Sequence, residues 1–199
     1  MIVIGLTGSI GMGKSTTAKM FADAGISVND SDRVVHELYR GEAVIPIEAA
    51  FPGSVRNGEV DRSELSWNLA KNPANFEVLE SIVHPLVRER ELAFLKAARE
   101  SAADMVVLDI PLLYETGAEK RVDVVVVVSC DPEIQRKRVL ERPGMTPEKF
   151  EMILGRQVPD AEKRRRADYV IDTGRGLDAA RKQVQDIIES LRRQVKAEA

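Results

Sequence analysis

Gly8-Ser9-Ile10-Gly11-Met12-Gly13-Lys14-Ser15 satisfies G-x-x-x-x-G-K-[ST] at every fixed position. The apolar run Ile2–Thr7 precedes it and a helical pattern begins at Lys14. This strand–loop–helix order constrains the fold more than any other feature of the chain. Glycines let the backbone wrap a phosphate with its N–H groups turned inward, and the helix start adds favourable partial charge. Lys14 is placed to reach the β- and γ-phosphates of a nucleotide, and Ser15 to offer a hydroxyl to Mg²⁺. The competing reading, a glycine-rich turn with a solvated lysine, does not explain the flanking strand and helix.

The rest of the chain reads as the α/β frame such a loop requires. Four more apolar runs, Ile26–Asn29, Met105–Asp109, Val122–Ser129 and Asp168–Asp172, are continuous rather than alternating, as expected of strands covered on both faces. Helical patterns run from Asp32 towards Tyr39, and over Pro85–Arg99, Pro132–Glu141, Thr146–Gln157 and Leu177–Lys196. The alternation predicts a parallel sheet with right-handed crossovers. Residues 30–104 are too many for a simple crossover, and their periodicity is helical, so they read as a mainly helical insertion. Such an insertion lies where a second substrate would sit. The charged tail from Arg192 to Ala199 is expected to fray.

Composition narrows the chemistry. One cysteine and two histidines in 199 residues leave no disulfide framework and no cysteine- or histidine-built metal site. A net charge of −3 does not recommend a nucleic-acid partner. No apolar run approaches the ~20 residues of a membrane span, and no targeting segment is evident, which favours the cytoplasm.

Carboxylates fall at strand ends. Asp30-Ser31-Asp32 follows the second run; Asp32 is the candidate to accept a proton from an attacking hydroxyl, with Asp30 in support. The alternative is helix capping, which aspartate at this place also suits. Asp109 ends a hydrophobic run after a phosphate loop and is a candidate to hold Mg²⁺. Asp131, before Pro132, reads as helix entry. Arg136, Arg138 and Arg142 precede Pro143-Gly144, and residues 138 and 142 share a helical face. They suit a lid over polyphosphate or, equally, a solvated basic face. Lys163-Arg164-Arg165-Arg166 reads as solvated, without interleaved aromatics. His84 reads as a capping or packing residue, and Arg62 as a partner for an acid or a phosphate. The guanine motif Asn-Lys-x-Asp and the transporter signature Leu-Ser-Gly-Gly are absent. A kinase closing over two substrates is therefore favoured over a nucleotide-binding regulator, with a nucleoside or nucleoside-monophosphate kinase as the alternative enzyme.

Several motifs in register resemble one family, the dephospho-coenzyme A kinases. The opening Gly5–Ser15, the Asp30-Ser31-Asp32 element, Gly58-Glu59-Val60-Asp61-Arg62 with Leu65, and Leu79–Leu86 with its His-Pro pair all match. So do Asp109-Ile110-Pro111-Leu112-Leu113-Tyr114-Glu115, Gln157 and Ala167–Asp172. The resemblance implies a P-loop kinase core with a five-stranded parallel sheet flanked by helices, a helical substrate-binding insertion and a lid. One domain would divide into a core (about 1–32, 102–135 and 167–199), an insertion (about 33–101) and a lid (about 136–166). It implies transfer of the ATP γ-phosphoryl group to the ribose 3′-hydroxyl of dephospho-coenzyme A, with Mg²⁺ as cofactor and no obligate protein partner. Lys14, Asp32 and Arg138 would be catalytic. Gly11, Met12, Gly13, Lys14, Ser15, Thr16, Arg142 and Gln157 would bind ATP. Asp30, Arg62, His84, Pro111, Leu112 and Leu113 would bind the acceptor, and Ser15 and Asp109 the metal. The sequence departs from the family at Ser31, usually alanine, at Pro143-Gly144, and at Thr173, where asparagine is common and an amide donor is lost.

Overall fold

The computed structural model describes residues 1–198. The chain divides into two compact units, residues 1–29 with 98–199, and residues 30–97.

The first unit is built on a five-stranded sheet. In chain order its strands are β1 (Ile2–Thr7), β2 (Ser27–Asp30), β5 (Met105–Asp109), β6 (Val124–Ser129) and β7 (Tyr169–Asp172). Their order across the sheet is β2-β5-β1-β6-β7, with parallel ladders between β5, β1, β6 and β7. The five apolar runs are these strands: β1 and β5 keep the expected bounds, β6 and β7 start two residues and one residue later, and β2 is displaced by one residue at both ends. Ile4, Leu6, Val107, Val126, Val128 and Ile171 form one buried cluster. Helix α1 (Lys14–Asp23) adds Met20 and Phe21, and α9 (Leu177–Glu198) adds Ala180, Val184, Ile187, Ile188 and Leu191 at helical spacing. α9 runs to Glu198, and Ala199 lies outside the described residues. Helices α6 (Pro132–Leu140), α7 (Pro147–Leu154) and α8 (Asp160–Arg166) occupy the segment between β6 and β7. α7 is shorter than its pattern suggested: Thr146 caps it and it ends at Leu154. Asp131 caps α6 by accepting from the Glu133 amide, as Asp-Pro at a helix entry predicts.

The second unit is helical, as its periodicity suggests. α2 (Ser31–Leu38), α3 (Val44–Ala50), α4 (Arg62–Lys71) and most of α5 (Ala74–Glu100) surround a separate core of Val34, Leu38, Ile47, Phe51, Leu65 and Leu69. A two-residue hairpin, β3 (Val55–Arg56) with β4 (Glu59–Val60), turns at Asn57-Gly58, where both residues have positive φ. The helix expected from Pro85 instead begins at Ala74 and carries Pro85 inside it. Proline removes the bond to the carbonyl of residue 81, and Ser81 is exposed, so water can satisfy that carbonyl.

Candidate active site

The sheet register aims the phosphate loop. Leu6 pairs with Asp109 and Thr7 with Val127, so β1 delivers Gly8–Gly13 to the carboxyl end of the sheet between two neighbours. Gly8 has no room for a side chain, because a Cβ there would lie 2.7 Å from the Val128 carbonyl oxygen. Gly11 and Gly13 hold φ of 79° and 92°, which β-carbon-bearing residues rarely adopt. No side chain caps α1, whose N-cap is Gly13, so its first amides face outward for an anion.

The loop is braced from three directions. Gln135 Nε2 donates to the Ile10 carbonyl at 2.7 Å, and the Ile10 amide donates to Gln157 Oε1 at 3.1 Å. Thr173 Oγ1 donates to the Met12 carbonyl at 2.7 Å. The departure at Thr173 therefore replaces an amide with a hydroxyl that holds the loop itself.

Lys14 Nζ lies 2.5 Å from Asp109 Oδ1, and the Asp109 side chain is only 1% exposed. The expected metal residue is thus the counter-ion of the phosphate lysine in this form, while Ser15 and Thr16 are exposed at the start of α1. Among the described residues, no group of three or more His, Cys, Asp or Glu side chains is placed to hold a metal ion. A cation at this site would depend on phosphate oxygens, with Ser15 and Asp109 as the protein donors within the expected set.

Beside the loop opens a pocket of about 290 Å³, whose walls include Gly13, Thr16, Arg138, Arg142, Thr173 and Leu177. Arg138 is anchored to Thr173 on its wall: Nη1 donates to Thr173 Oγ1 at 3.1 Å and Nη2 to the Thr173 carbonyl at 2.8 Å. Arg138 is half-buried on the pocket wall, whereas Arg142 lines the same pocket and stays exposed to solvent. Arg136 points away, to Glu151 at 3.1 Å. Gln157 does not line this pocket; it grips Ile10 and borders a second cleft of about 400 Å³ with Ser9, Gln135 and Glu151. Cys130 is buried near Arg138, and burial pushes its thiol pKa up against the pull of that guanidinium, so it stays protonated at neutral pH.

In the second unit the paired aspartates separate their roles. Asp30 is the cap of α2, its Oδ1 accepting from the amides of Asp32 at 2.9 Å and Arg33 at 3.1 Å. Capping therefore falls to Asp30 and leaves the exposed Asp32 carboxylate available. One turn along α2 from Asp32, His36 Nδ1 meets Arg62 Nη2 at 2.8 Å. Arg62 also lies 5.7 Å from the Tyr39 ring centre. Burial raises the Tyr39 pKa, and the Arg62 charge opposes that rise. His84 is exposed within α5, neither capping nor packed as expected.

The Pro111–Leu113 stretch is divided. The Pro111 carbonyl accepts from Thr7 Oγ1 at 3.1 Å, and Leu112 is 43% exposed. Leu113 is fully buried against Gly5, so it belongs to the core and presents no surface to an acceptor in this form.

The basic run 163–166 also needs correction. Lys163 is fully buried and lies 2.8 Å from Glu115 Oε1, while Arg166 pairs with Glu119 at 2.8 Å and sits 4.1 Å from the Tyr114 ring centre. Arg164, Arg165 and Arg166 are exposed, as the solvated reading expects, Arg165 with Glu162 and Arg166 with Glu119 alongside. Sequence reasoning also missed Gln135, 5% exposed and bonded to the loop. Its one signal is a four-residue offset from Asp131, which places it on the first turn of α6 above the loop.

Comparison with known proteins agrees with this geometry. A family model described as dephospho-CoA kinase matches residues 2–179. A dephospho-CoA kinase of Agrobacterium fabrum is 68% identical over 191 residues, covering 96% of this chain and 98% of its own. That of Rhizobium meliloti is 59% identical over 192 residues, covering 96% and 99%. A crystal structure of a Thermus thermophilus protein superposes with a TM-score of 0.84 at 32% identity, covering 95% of this chain and 96% of that one. The fold alone is shared with a shikimate kinase from Acinetobacter baumannii, at a TM-score of 0.54 and 20% identity over 98% and 94% of the two chains. The phosphate loop, its bracing and these matches together make the chain a member of the dephospho-CoA kinase family.

Proposed function

We propose that this protein transfers the γ-phosphoryl group of ATP to the ribose 3′-hydroxyl of dephospho-coenzyme A, releasing ADP and coenzyme A. The observation that carries the reading is a braced phosphate loop in a chain that matches this family from residue 2 to 179. The triphosphate occupies the loop, with the open amides of α1 on its oxygens. Lys14 turns from Asp109 to the β- and γ-phosphates, a short reach because both end at the same sheet edge. Ser15 and Asp109 would hold Mg²⁺, which would supply positive charge against the phosphate oxygens.

Arg138 and Arg142 line the pocket for the nucleoside and add positive charge towards the phosphates. In the second unit, Asp32 accepts the proton of the attacking 3′-hydroxyl and orients its oxygen. The new bond forms from that oxygen to the γ-phosphorus as the bond to the β–γ bridging oxygen breaks, and ADP leaves. Arg62, steadied by His36, holds an anionic part of the acceptor. The segment 136–166 closes over the nucleotide as a lid, and residues 33–101 hold the acceptor. No helix of the described residues is long and apolar enough to cross a membrane, and we place the enzyme in the cytoplasm with small-molecule partners only.

An acceptor panel tests the reading. With MgATP, ADP release is expected with dephospho-coenzyme A and not with nucleosides or nucleoside monophosphates; the reverse preference would make it the alternative kinase.

A further inference from the structure

The chemistry above leaves one buried ion pair unused. Glu115 and Lys163 are 13% and 0% exposed at their side chains, with Nζ and Oε1 2.8 Å apart. The same Oε1 accepts from the Val158 amide at 2.8 Å. Burial raises the Glu115 pKa, but the Lys163 and Val158 contacts outweigh it and hold the carboxyl below the ordinary glutamate value. Glu115 Oε2 and the nearby Asp160 Oδ1 are buried without a hydrogen-bond partner among the described residues. A buried pair with such loose ends is a poor source of net stability, since a packed apolar pair does as well or better.

Its position suggests another use. Val158 follows Gln157, and Gln157 takes the Ile10 amide at the middle of the phosphate loop. Gln135 takes the Ile10 carbonyl from the other side. The Ile10 backbone is thus clamped between two glutamines through its N–H and its carbonyl, and only Gln135 sits in a regular helix. Gln157 lies beyond the end of α7, in the irregular stretch before α8. The contacts that pin this stretch to the body of the unit are Val158 and Lys163 on Glu115, and Asp160 on Ser129 at 2.7 Å.

We propose that Glu115, with Lys163 as its buried counter-charge, is a positioning residue for the phosphate loop. By holding Val158 it fixes Gln157 on the Ile10 amide, and so keeps the loop's N–H groups aimed at phosphate before the nucleotide arrives. Glu115 ends the stretch that begins with Asp109, the partner of Lys14. One short segment thereby sets both the lysine and the loop backbone. The inference rests on the reading of Gly8–Ser15 as the ATP phosphate site, not on the identity of the acceptor.

Four variants of the full chain test it, with ATP affinity read by calorimetry and folding by thermal melting. E115Q/K163M removes both charges but keeps an acceptor oxygen for Val158, and should bind ATP about as wild type does. E115L/K163M removes the acceptor, and Q157A removes the clamp; each should weaken ATP binding roughly tenfold, the scale of one lost intramolecular hydrogen bond. The melting midpoint of E115L/K163M should stay near that of E115Q/K163M, and combining it with Q157A should cost no more than either change alone. Wild-type ATP affinity in E115L/K163M or in Q157A would overturn the proposal. So would additive losses, or an E115L/K163M protein that does not fold, which would assign the pair to structure. A wild-type protein without ATP affinity would overturn the phosphate-site reading as well, whereas ATP binding without dephospho-coenzyme A turnover would leave these comparisons decisive.

Discussion

The phosphate loop is held by side chains from three other segments, and Gln135 and Thr173 among them are buried. The cluster of Asp32, His36 and Arg62 is the reverse: Asp32 and Arg62 are exposed, and one hydrogen bond joins His36 to Arg62. The first region is built before any ligand is present: Gln135 and Thr173 lie where water competes poorly, and Gln157, half-buried, completes the set. The second has Asp32 and Arg62 in water, so on the proposed reading their ordering falls on the acceptor when it binds. The two halves of the reaction are therefore prepared differently. Nucleotide binding draws on stability already built into the fold, and acceptor binding draws on contacts that do not yet exist.

Substitutions should separate the halves. The largest effect is expected for Lys14→Ala, which should lower kcat/KM by roughly 1000-fold, because a charge aimed at the transferring group is lost. Steady-state kinetics with both substrates varied would show it. Asp32→Asn should lower kcat by about 100-fold while ATP affinity and the melting midpoint stay put. If the melting midpoint fell and kcat did not, Asp32 would be a structural residue and the contrast between the regions would fail.

Arg62→Ala should raise KM for the acceptor by about tenfold with KM for ATP unchanged. His36→Asn, which can present an acceptor near the Nδ1 position, should keep KM close to wild type, and His36→Ala should not. Gly8→Ala belongs to the other half. Its methyl group would press on the Val128 carbonyl, so it should destabilise the fold by about 1–3 kcal/mol, read by denaturant melts.

The smallest effect is a pH dependence. Glu115 has a folded pKa below its unfolded one, so its pair with Lys163 contributes stability above the unfolded value. That contribution is lost as pH falls through the folded value. E115Q/K163M should therefore flatten the acid limb of melting midpoint against pH relative to wild type.

The braced half was also the more legible one in the sequence. A continuous apolar strand, three glycines and Gly-Lys-Ser leave few alternatives, and Met105–Asp109 announces its place by ending in an acid. What stayed hidden were polar side chains that turn inward. Lys163 sits in a basic run of the kind that is normally solvated, and nothing local marks it as the partner of Glu115, 48 positions earlier. Gln135 is likewise an ordinary helix residue until the loop is placed beneath it. Asp30 and Asp32 were legible as a pair but not as a division of labour, because which carboxylate caps depends on where α2 begins. Leu113 and Leu112 are adjacent apolar residues, and only the packing of Gly5 beneath one of them distinguishes core from surface. The N-terminal half of α5 was obscured by Pro85, whose usual meaning as a helix boundary is overridden on an exposed face, where water can reach the freed carbonyl of Ser81.

The most direct test of the central claim is the position of the transferred phosphate. The protein would be incubated with MgATP and dephospho-coenzyme A, and the product mapped by phosphorus NMR and mass spectrometry. One phosphate on the ribose 3′-oxygen for each ADP released is the predicted result. Phosphate on another oxygen, or ADP release without a phosphorylated acceptor, would contradict it.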